Sequence, residues 1–584
     1  MDRATPSRGN EEIELYIRTY YSLLRSTGDI RVRSLEETHT AMGSSLHLGA
    51  ESPIADISAF VYSVMRLPQC LPSVRLVLMA QSEEVFDRRG YPDVDKWEPV
   101  TAHSRRRKMF YDGSATLAAF IASISDIDDL IPMLTAYQIE WNKLHERLVE
   151  SPILAWIEDH VSGRTPLAPE QVGEIANRLN LSADDFVKLQ SAWGPALWPN
   201  LLAAGQVRKD MSIHLLAGSL TDYRRATAGW WLTIVQEIDR ALKSDLLYRP
   251  VYIVSSNTHS LANLLSGYAL TIEPELAAFL EEANPENLWH AYKRLKADGA
   301  QGEMHNLLYY ALSRYLRHGS EEAQQAKTAT MQETMRTMGL LHVENPRYLD
   351  VAAQVFELKS LCPGCFDPRL GTDSLDALRE SDAIIFNIDY PLGMAAYQIF
   401  TEAAANLGDL RGVYLMGKAA TLNGQVGDVM IPNVVYDEHS QNTFLFKNCF
   451  LAADVAPYLS EGSVFDNQKV VTVRGTFLQN REFVGLFYKE GYTDIEMETG
   501  PYLSGVYEDI YPKRYPVDEI VNLFINAPYD IGVIHYASDT PYSRRQSLLS
   551  KSLSFFGVDA TYAASIAILR RIFAQELAHL RSRR

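Results

Sequence analysis

Three segments in the last third of the chain place reactive side chains at the ends of expected strands. Leu415-Met-Gly417-Lys-Ala-Ala-Thr-Leu-Asn-Gly-Gln-Val-Gly427-Asp428-Val-Met-Ile-Pro432 reads as a strand ending in Gly417, a loop, and a return strand. The missing Cβ at Gly417 lets a ligand approach the backbone. Asp494-Ile-Glu496-Met497-Glu498-Thr499-Gly500 is a strand that delivers an acidic pair into a helix start. Tyr536-Ala537-Ser538-Asp539 is a strand whose end presents a carboxylate. Each segment also has a structural reading. Glu498 suits the positive end of a helix dipole, Asp539-Thr-Pro suits a turn opening, and Met497 suits a core.

In this order, on strand ends, the trio resembles the nucleoside phosphorylase/nucleosidase superfamily, and within it the AMP nucleosidase and methylthioadenosine nucleosidase type. The resemblance spans roughly residues 350–575. It implies an α/β domain with a mixed sheet flanked by helices, acting on a purine-type nucleoside or nucleotide. By that resemblance Glu498 accepts hydrogen bonds from the ribose 2′- and 3′-hydroxyls, with Glu496 beside it. Met497 lies against the sugar and base, Phe477 stacks on the base, and Asp539 is the general acid at purine N7. No cofactor or metal is implied, and a homo-oligomer is.

The sequence departs from the family where a Gly-rich anion loop is expected. Asn387-Ile388-Asp389-Tyr390-Pro391-Leu392-Gly393 carries Asp and Tyr in place of glycines, and Ala420-Thr421 replaces a Gly-Gly. A carboxylate repels a phosphate there, whereas hydrolysis needs a base for water, and Asp389 is a candidate. Arg474 and Arg481 are candidates for an anionic group. The leading expectation is an N-ribosyl hydrolase. The alternatives are a phosphate-dependent phosphorylase and a non-catalytic nucleotide-binding sensor.

These residues need a frame. From Asp382 onward strands and helices alternate: 383–388, 412–416, 470–473, 494–497 and 531–537 as strands, with helices over 395–407, 498–507 and 547–573. Residues 1–345 read as mainly α-helical, with a subdomain break near 150–165 and the major boundary near 345, so the second domain is 346–584. Leu130, Met133, Leu134, Tyr137, Trp141, Leu144 and Leu148 form one apolar helical face. Similar periodicity runs through 230–242 and 305–316, and a polar helix is expected over 320–338.

Two short apolar runs, 74–79 and 251–254, read as buried strands within that helical region. The second leads into Ser255-Ser256-Asn257-Thr258-His259-Ser260, which either caps a helix or offers backbone N–H groups to an anion. Gln171–Leu189 has the rhythm of a helix-turn-helix, but Asp184 and Asp185 would face DNA phosphates with the wrong sign.

At 584 residues the chain exceeds one core, and two to four domains are expected. Its net charge of −18 argues against general nucleic-acid binding. One basic run, Arg105-Arg106-Arg107-Lys108, is either a solvated turn or an anion site. Four cysteines suit a reducing compartment. Cys362-Pro-Gly-Cys365 has neither a second C-x-x-C nor a spaced His pair to make a zinc site, and Pro-Gly reads as a turn. No apolar h-region opens the sequence and no run approaches ~18 apolar residues. A cytoplasmic protein with a small-molecule ligand, and without membrane or nucleic-acid partners, is expected.

Overall fold

The computed structural model describes residues 7–25, 28–243, 246–344, 348–371, 375–512, 514–523, 527–539 and 557–583. Its strands, in chain order, begin with β1 (Ile30–Arg31), β2 (Leu76–Ala80), β3 (Glu98–Val100), β4 (Met109–Tyr111), β5 (Thr116–Phe120) and β6 (Ser212–Leu215). They continue with β7 (Pro250–Ser256), β8 (Leu340–Val343), β9 (Ala353–Glu357), β10 (Ile384–Asp389), β11 (Asp409–Thr421) and β12 (Val429–Asp437). The last are β13 (Thr443–Leu445), β14 (Val464–Thr472), β15 (Asp494–Glu496), β16 (Ile520–Asn522) and β17 (Asp530–Asp539).

The first six strands form one sheet, ordered β1-β6-β2-β5-β4-β3, in which β6, β2 and β5 are parallel. The helical region thus contains a sheet, of which the apolar run at 74–79 is a central strand. The helix Ile124–Leu148 packs on this sheet and starts with a capping box, Ser123 and Asp126 bonding each other's backbone N–H groups. The segment with helix-turn-helix rhythm is two helices, Pro169–Arg178 and Ala183–Trp193, the second capped by Ser182.

The remaining eleven strands form a second sheet, β16-β13-β12-β14-β15-β11-β7-β10-β9-β8, with β17 joined to β11 and β12. Its centre holds a strand from before residue 345. All seven residues of β7 are buried, and β7 runs parallel between β10 and β11, pairing Ile253 with both Phe386 and Val413. A strand covered on both faces and paired on both sides reads as a continuous apolar run, as Val251–Val254 does. The boundary expected near 345 therefore does not separate the two sheets. The chain leaves β7, makes a series of helices ending in Gln301–Leu316 and Glu321–Thr337, and returns through β8.

A second difference concerns β11. It does not end at Gly417 but continues to Thr421, and Gly417 pairs with His535 of β17. The expected helix over 547–573 is seen as Val558–Arg583, its first part lying outside the described residues. Cys362 and Cys365 flank a single turn with their sulfurs 2.8 Å apart. No group of metal-binding side chains occurs among the described residues, and no helix among them is long and apolar enough to cross a membrane.

The two sheets share a joint. Phe477 and Leu478, from the turn after β14, belong to the hydrophobic core of the first sheet's unit. Tyr62 donates a hydrogen bond to Thr476 Oγ1 at 2.8 Å, and Asn480 donates to the Met42 carbonyl at 2.9 Å.

Candidate active site

The acidic segment is positioned by strand register. β15 lies between β14 and β11, aligning Glu496 with Thr472 and Asp494 with Thr421. Glu496 is buried and fully engaged. It accepts from Thr472 Oγ1, from Glu498 N at 2.7 Å and from Thr499 N at 2.8 Å. Those two N–H groups belong to the first turn of the helix Thr499–Ile510, so Glu496 satisfies donors that a helix start leaves open. Its carboxylate is committed to positioning.

Glu498, two residues on, has no ion pair and no hydrogen bond to another side chain among the described residues, its hydrogen-bonding neighbour there being the Met497 backbone N–H. Its carboxyl is pushed up to about 8, first by burial and then by Glu496, against the opposing effect of His535 and Arg105. At neutral pH such a group keeps its proton and offers both a donor and an acceptor. Behind it lies a relay absent from the sequence-based expectations. His535, in β17, places Nδ1 2.8 Å from Asp494 Oδ2 and Nε2 3.0 Å from Thr499 Oγ1. Burial alone would depress the imidazole, but the Asp494 hydrogen bond and the nearby carboxylates leave it raised. A histidine in an apolar strand, IGVIHYA, gives no periodicity signal of its own. Its partner Asp494 lies 41 positions away in sequence.

Glu496, Met497 and Glu498 line a cavity of about 2060 Å³. Met497 is 8% exposed and packs on Val471, Val473 and Ile495, so it is core and wall at once. Arg481, the first residue of the helix Arg481–Lys489, also lines the cavity and is exposed to it. Tyr536, Ala537 and Ser538 reach the same space from β17, and Asp539 closes that strand. The side chain of Asp539 lies outside the described residues. The loop before β12 is pinned to the end of β17 by Gly427 N to Ala537 O, 2.9 Å, and Ala537 N to Asp428 O, 2.8 Å. Gly427 adopts φ +98°, and Asp428 accepts from Gln425 N and Ser463 N, so this Gly-Asp pair shapes the loop.

Other expected site residues stand elsewhere. Phe477 is 2% exposed, edge-on to Tyr62 with ring centres 5.3 Å apart, and does not line the cavity. A ring buried in the joint is not available to stack on a base. Arg474 pairs with Asp128 at 3.1 Å and reaches Glu14 at 3.5 Å, which removes it from the anion candidates. Gly417 is interior to β11 and does not line the cavity, its neighbours Lys418, Ala419 and Ala420 doing so instead.

Asp389 is also off the cavity wall. Its Oδ2 is held in an ion pair by Arg106 of the first unit, and its buried Oδ1 has no partner among the described residues. A carboxylate tied to a guanidinium and turned from the cavity cannot serve as the expected base for water. Next to it Tyr390 holds φ +35°, which glycine adopts freely and tyrosine at a cost. The tyrosine hydroxyl sits 3.3 Å from that of Tyr536.

The basic run is spent on ion pairs. Arg105 binds Asp129 at 2.6 Å, Arg107 binds Asp126 and Asp129, and Lys108 binds Glu83. Arg105 and Arg106 nonetheless line the cavity, so the first unit forms part of its wall. The turn after β7 lines it as well, through Asn257, Thr258 and His259. Asn257 Oδ1 caps the following helix, accepting from His259 N at 3.0 Å and Ser260 N at 2.6 Å. Asn387 and Gln354 fix this turn by donating to the Asn257 and Thr258 carbonyls. His259 is exposed to the cavity yet deep within the molecule. Burial, followed by Arg106, Lys418 and Arg317, lowers it to about 4.

The fold is thus a mixed-sheet α/β architecture with a large cavity at its strand ends, walled on one side by a second α/β unit. The chain belongs to a family of unknown function, DUF6909, whose model matches residues 32–574. No curated protein matches the sequence. Among solved structures, part of the chain is similar to the 5′-methylthioadenosine/S-adenosylhomocysteine nucleosidase of Neisseria meningitidis in complex with methylthio-immucillin-A. Identity is 14%, with 41% of this chain and 94% of that one covered and a TM-score of 0.28. The corresponding nucleosidase of Colwellia psychrerythraea, in complex with adenine, has 12% identity, 42% and 90% coverage and a TM-score of 0.27. A uridine phosphorylase of Vibrio fischeri has 9% identity, 42% and 87% coverage and a TM-score of 0.28.

Proposed function

We propose that the protein is an N-ribosyl hydrolase acting on a purine-type nucleoside or nucleotide. The observation that carries this reading is Glu498. It is a half-buried carboxyl on a cavity wall with no side-chain partner among the described residues, next to Met497, with Glu496 and the Asp494–His535–Thr499 relay fixing it from behind. A carboxyl so placed can bind both hydroxyls of a sugar diol. Asp539, at the end of β17, is the acid in this reading. The bond between C1′ and the base nitrogen breaks, the bond pair leaves with the base, and Asp539 supplies its proton. Water adds to C1′ and releases a proton to solvent.

The test is incubation with a panel of nucleosides and nucleotides, with and without phosphate, reading free base and sugar product by chromatography. Free base and free ribose in the absence of phosphate are expected. Ribose 1-phosphate formed only with added phosphate would make the protein a phosphorylase. Ligand-dependent thermal stabilisation without base release would make it a sensor.

A further inference from the structure

Small-molecule sites usually occupy about 300–1,000 Å³, and this cavity measures about 2060 Å³. Part of the excess is contributed by the helices inserted between β7 and β8. Arg317, just after the helix Gln301–Leu316, and Arg336, near the end of Glu321–Thr337, both line the cavity, as does Lys418 of β11. Among the described residues none of the three has an ion-pair or side-chain hydrogen-bond partner, and all three are exposed. The neighbouring acid Glu286 is already taken by Arg314 at 2.6 Å, and Glu333 is a further carboxylate on that wall.

The charges in the cavity are sorted. The groups acting most on Glu498 are Glu496, His535 and Arg105, whereas those acting on His259 are Arg106, Lys418 and Arg317. Arg106 is neutralised by Asp389, which leaves Lys418 and Arg317 as uncompensated charge about His259. Beside them Asn257 is 4% exposed, and among the described residues its Nδ2 has no close hydrogen-bond acceptor, the Tyr390 hydroxyl interacting with it only loosely. Buried polar donors are nearly always satisfied, so this one points to a ligand acceptor. One phosphate monoester carries about −1.5 to −2 at neutral pH, so the three cations, offset in part by Glu333 of the same wall, hold at least one phosphate, and the size of the cavity leaves space for a second.

We infer that the part of the cavity lined by Asn257, Lys418, Arg317 and Arg336 binds the phosphates of a nucleotide carrying at least a diphosphate, its sugar lying toward Glu498. The orientation of the sugar rests on the nucleosidase reading, but the anion site does not. The ligand class is a nucleoside diphosphate or a nucleotide extended through one. Free orthophosphate is the competing source of the same chemistry.

Calorimetric titration of the full-length protein with inorganic pyrophosphate, orthophosphate, adenosine and ADP separates these cases. Pyrophosphate is expected to bind about tenfold or more tightly than orthophosphate, and ADP more tightly than adenosine. Arg317→Ala combined with Lys418→Ala, both exposed positions, is expected to weaken pyrophosphate binding about tenfold or more. Arg240→Ala, a surface arginine paired with Glu237, is the control and leaves it unchanged. Equal binding of the two anions, no pyrophosphate binding, or binding untouched by the double substitution overturns the inference. Base release from adenosine without pyrophosphate binding sinks the anion site alone. Pyrophosphate binding without base release from any nucleotide supports the anion site and sinks the catalytic reading.

Discussion

Arg474 and Asp128 stand 346 positions apart in the sequence and meet at 3.1 Å, joining the larger sheet to the long helix of the smaller one. Asp128 is fully buried and also accepts from Tyr20 at 2.5 Å and Tyr21 at 2.8 Å. Removing the guanidinium leaves a buried carboxylate with only neutral donors. Arg474→Ala is therefore expected to destabilise the protein by about 3–5 kcal/mol, measured by guanidinium unfolding. A loss under about 1 kcal/mol is what an exposed pair gives, and that result would remove this joint as a stabilising element.

The central position of β7 makes a prediction about fragments. A fragment of residues 346–584 lacks the strand between β10 and β11 and exposes both edges to pairing with other chains. It is expected to aggregate or to show no cooperative thermal transition. A fragment of residues 219–584 retains the strand and the helix Leu220–Leu242, whose Trp230, Trp231 and Ile234 share a core with Ile253 and Phe386, and should melt cooperatively below the full chain, because Phe477 loses its packing on Tyr62. Cooperative unfolding of the shorter fragment would show that β7 is dispensable.

The elements were legible in the sequence wherever burial was one-sided or complete. The apolar face from Leu130 to Leu148 gave its helix, and VRLVLM and VYIV gave β2 and β7. Their partners were not legible, since an apolar run states that it is covered but not by what. Val251–Val254 was thus assigned to the helical region although its register lies with residues 384–389. The acidic segment was recognisable by its order and spacing, yet the division of labour within it was not. Whether Glu496 or Glu498 is free depends on Thr472 and on the helix start. Phe477, Arg474 and Asp389 stand apart from the expected site for one reason: each is engaged by the first unit, whose contacts leave no local pattern in the sequence.

The pH dependence of stability follows from Glu498. Burial and Glu496 raise its carboxyl to about 8, whereas in an unfolded chain it titrates near about 4.3. Between these values the folded protein holds a proton that the unfolded chain has lost, so stability falls as pH rises through that window. The contribution is complete below about pH 4 and is lost as pH passes about 8. Glutamine cannot ionise. The melting temperature of Glu498→Gln should therefore gain on that of the natural protein between pH 5 and pH 9. A constant difference across this range would mean that Glu498 titrates normally.

His535 has the same sign by a different route. Its imidazole is raised despite burial because Asp494 and the two glutamates favour the charged form. The stability it adds is present below its unfolded value and lost as pH rises through the folded one. His535→Ala, which also leaves Asp494 Oδ2 without its partner, is expected to cost of order 3 kcal/mol near pH 6 and less near pH 9. Equal losses at both pH values would mean that the ring is neutral in the folded protein.

Catalysis in the nucleosidase reading divides between binding the sugar and protonating the base, and two substitutions separate these roles. Glu498→Ala removes both the donor and the acceptor that would hold the sugar diol. It is expected to raise KM for a nucleoside more than it lowers kcat, the signature of lost ground-state binding. Asp539→Asn removes the proton source at the strand end beside the cavity. It is expected to lower kcat by about 10²–10⁴ with little change in KM. The losses should shrink for substrates whose leaving group departs without protonation, since the acid then has nothing to supply. Steady-state rates of base release for a purine nucleoside and for an activated aryl riboside measure both effects. If Asp539→Asn slows the two substrates equally, its role is positioning rather than proton transfer.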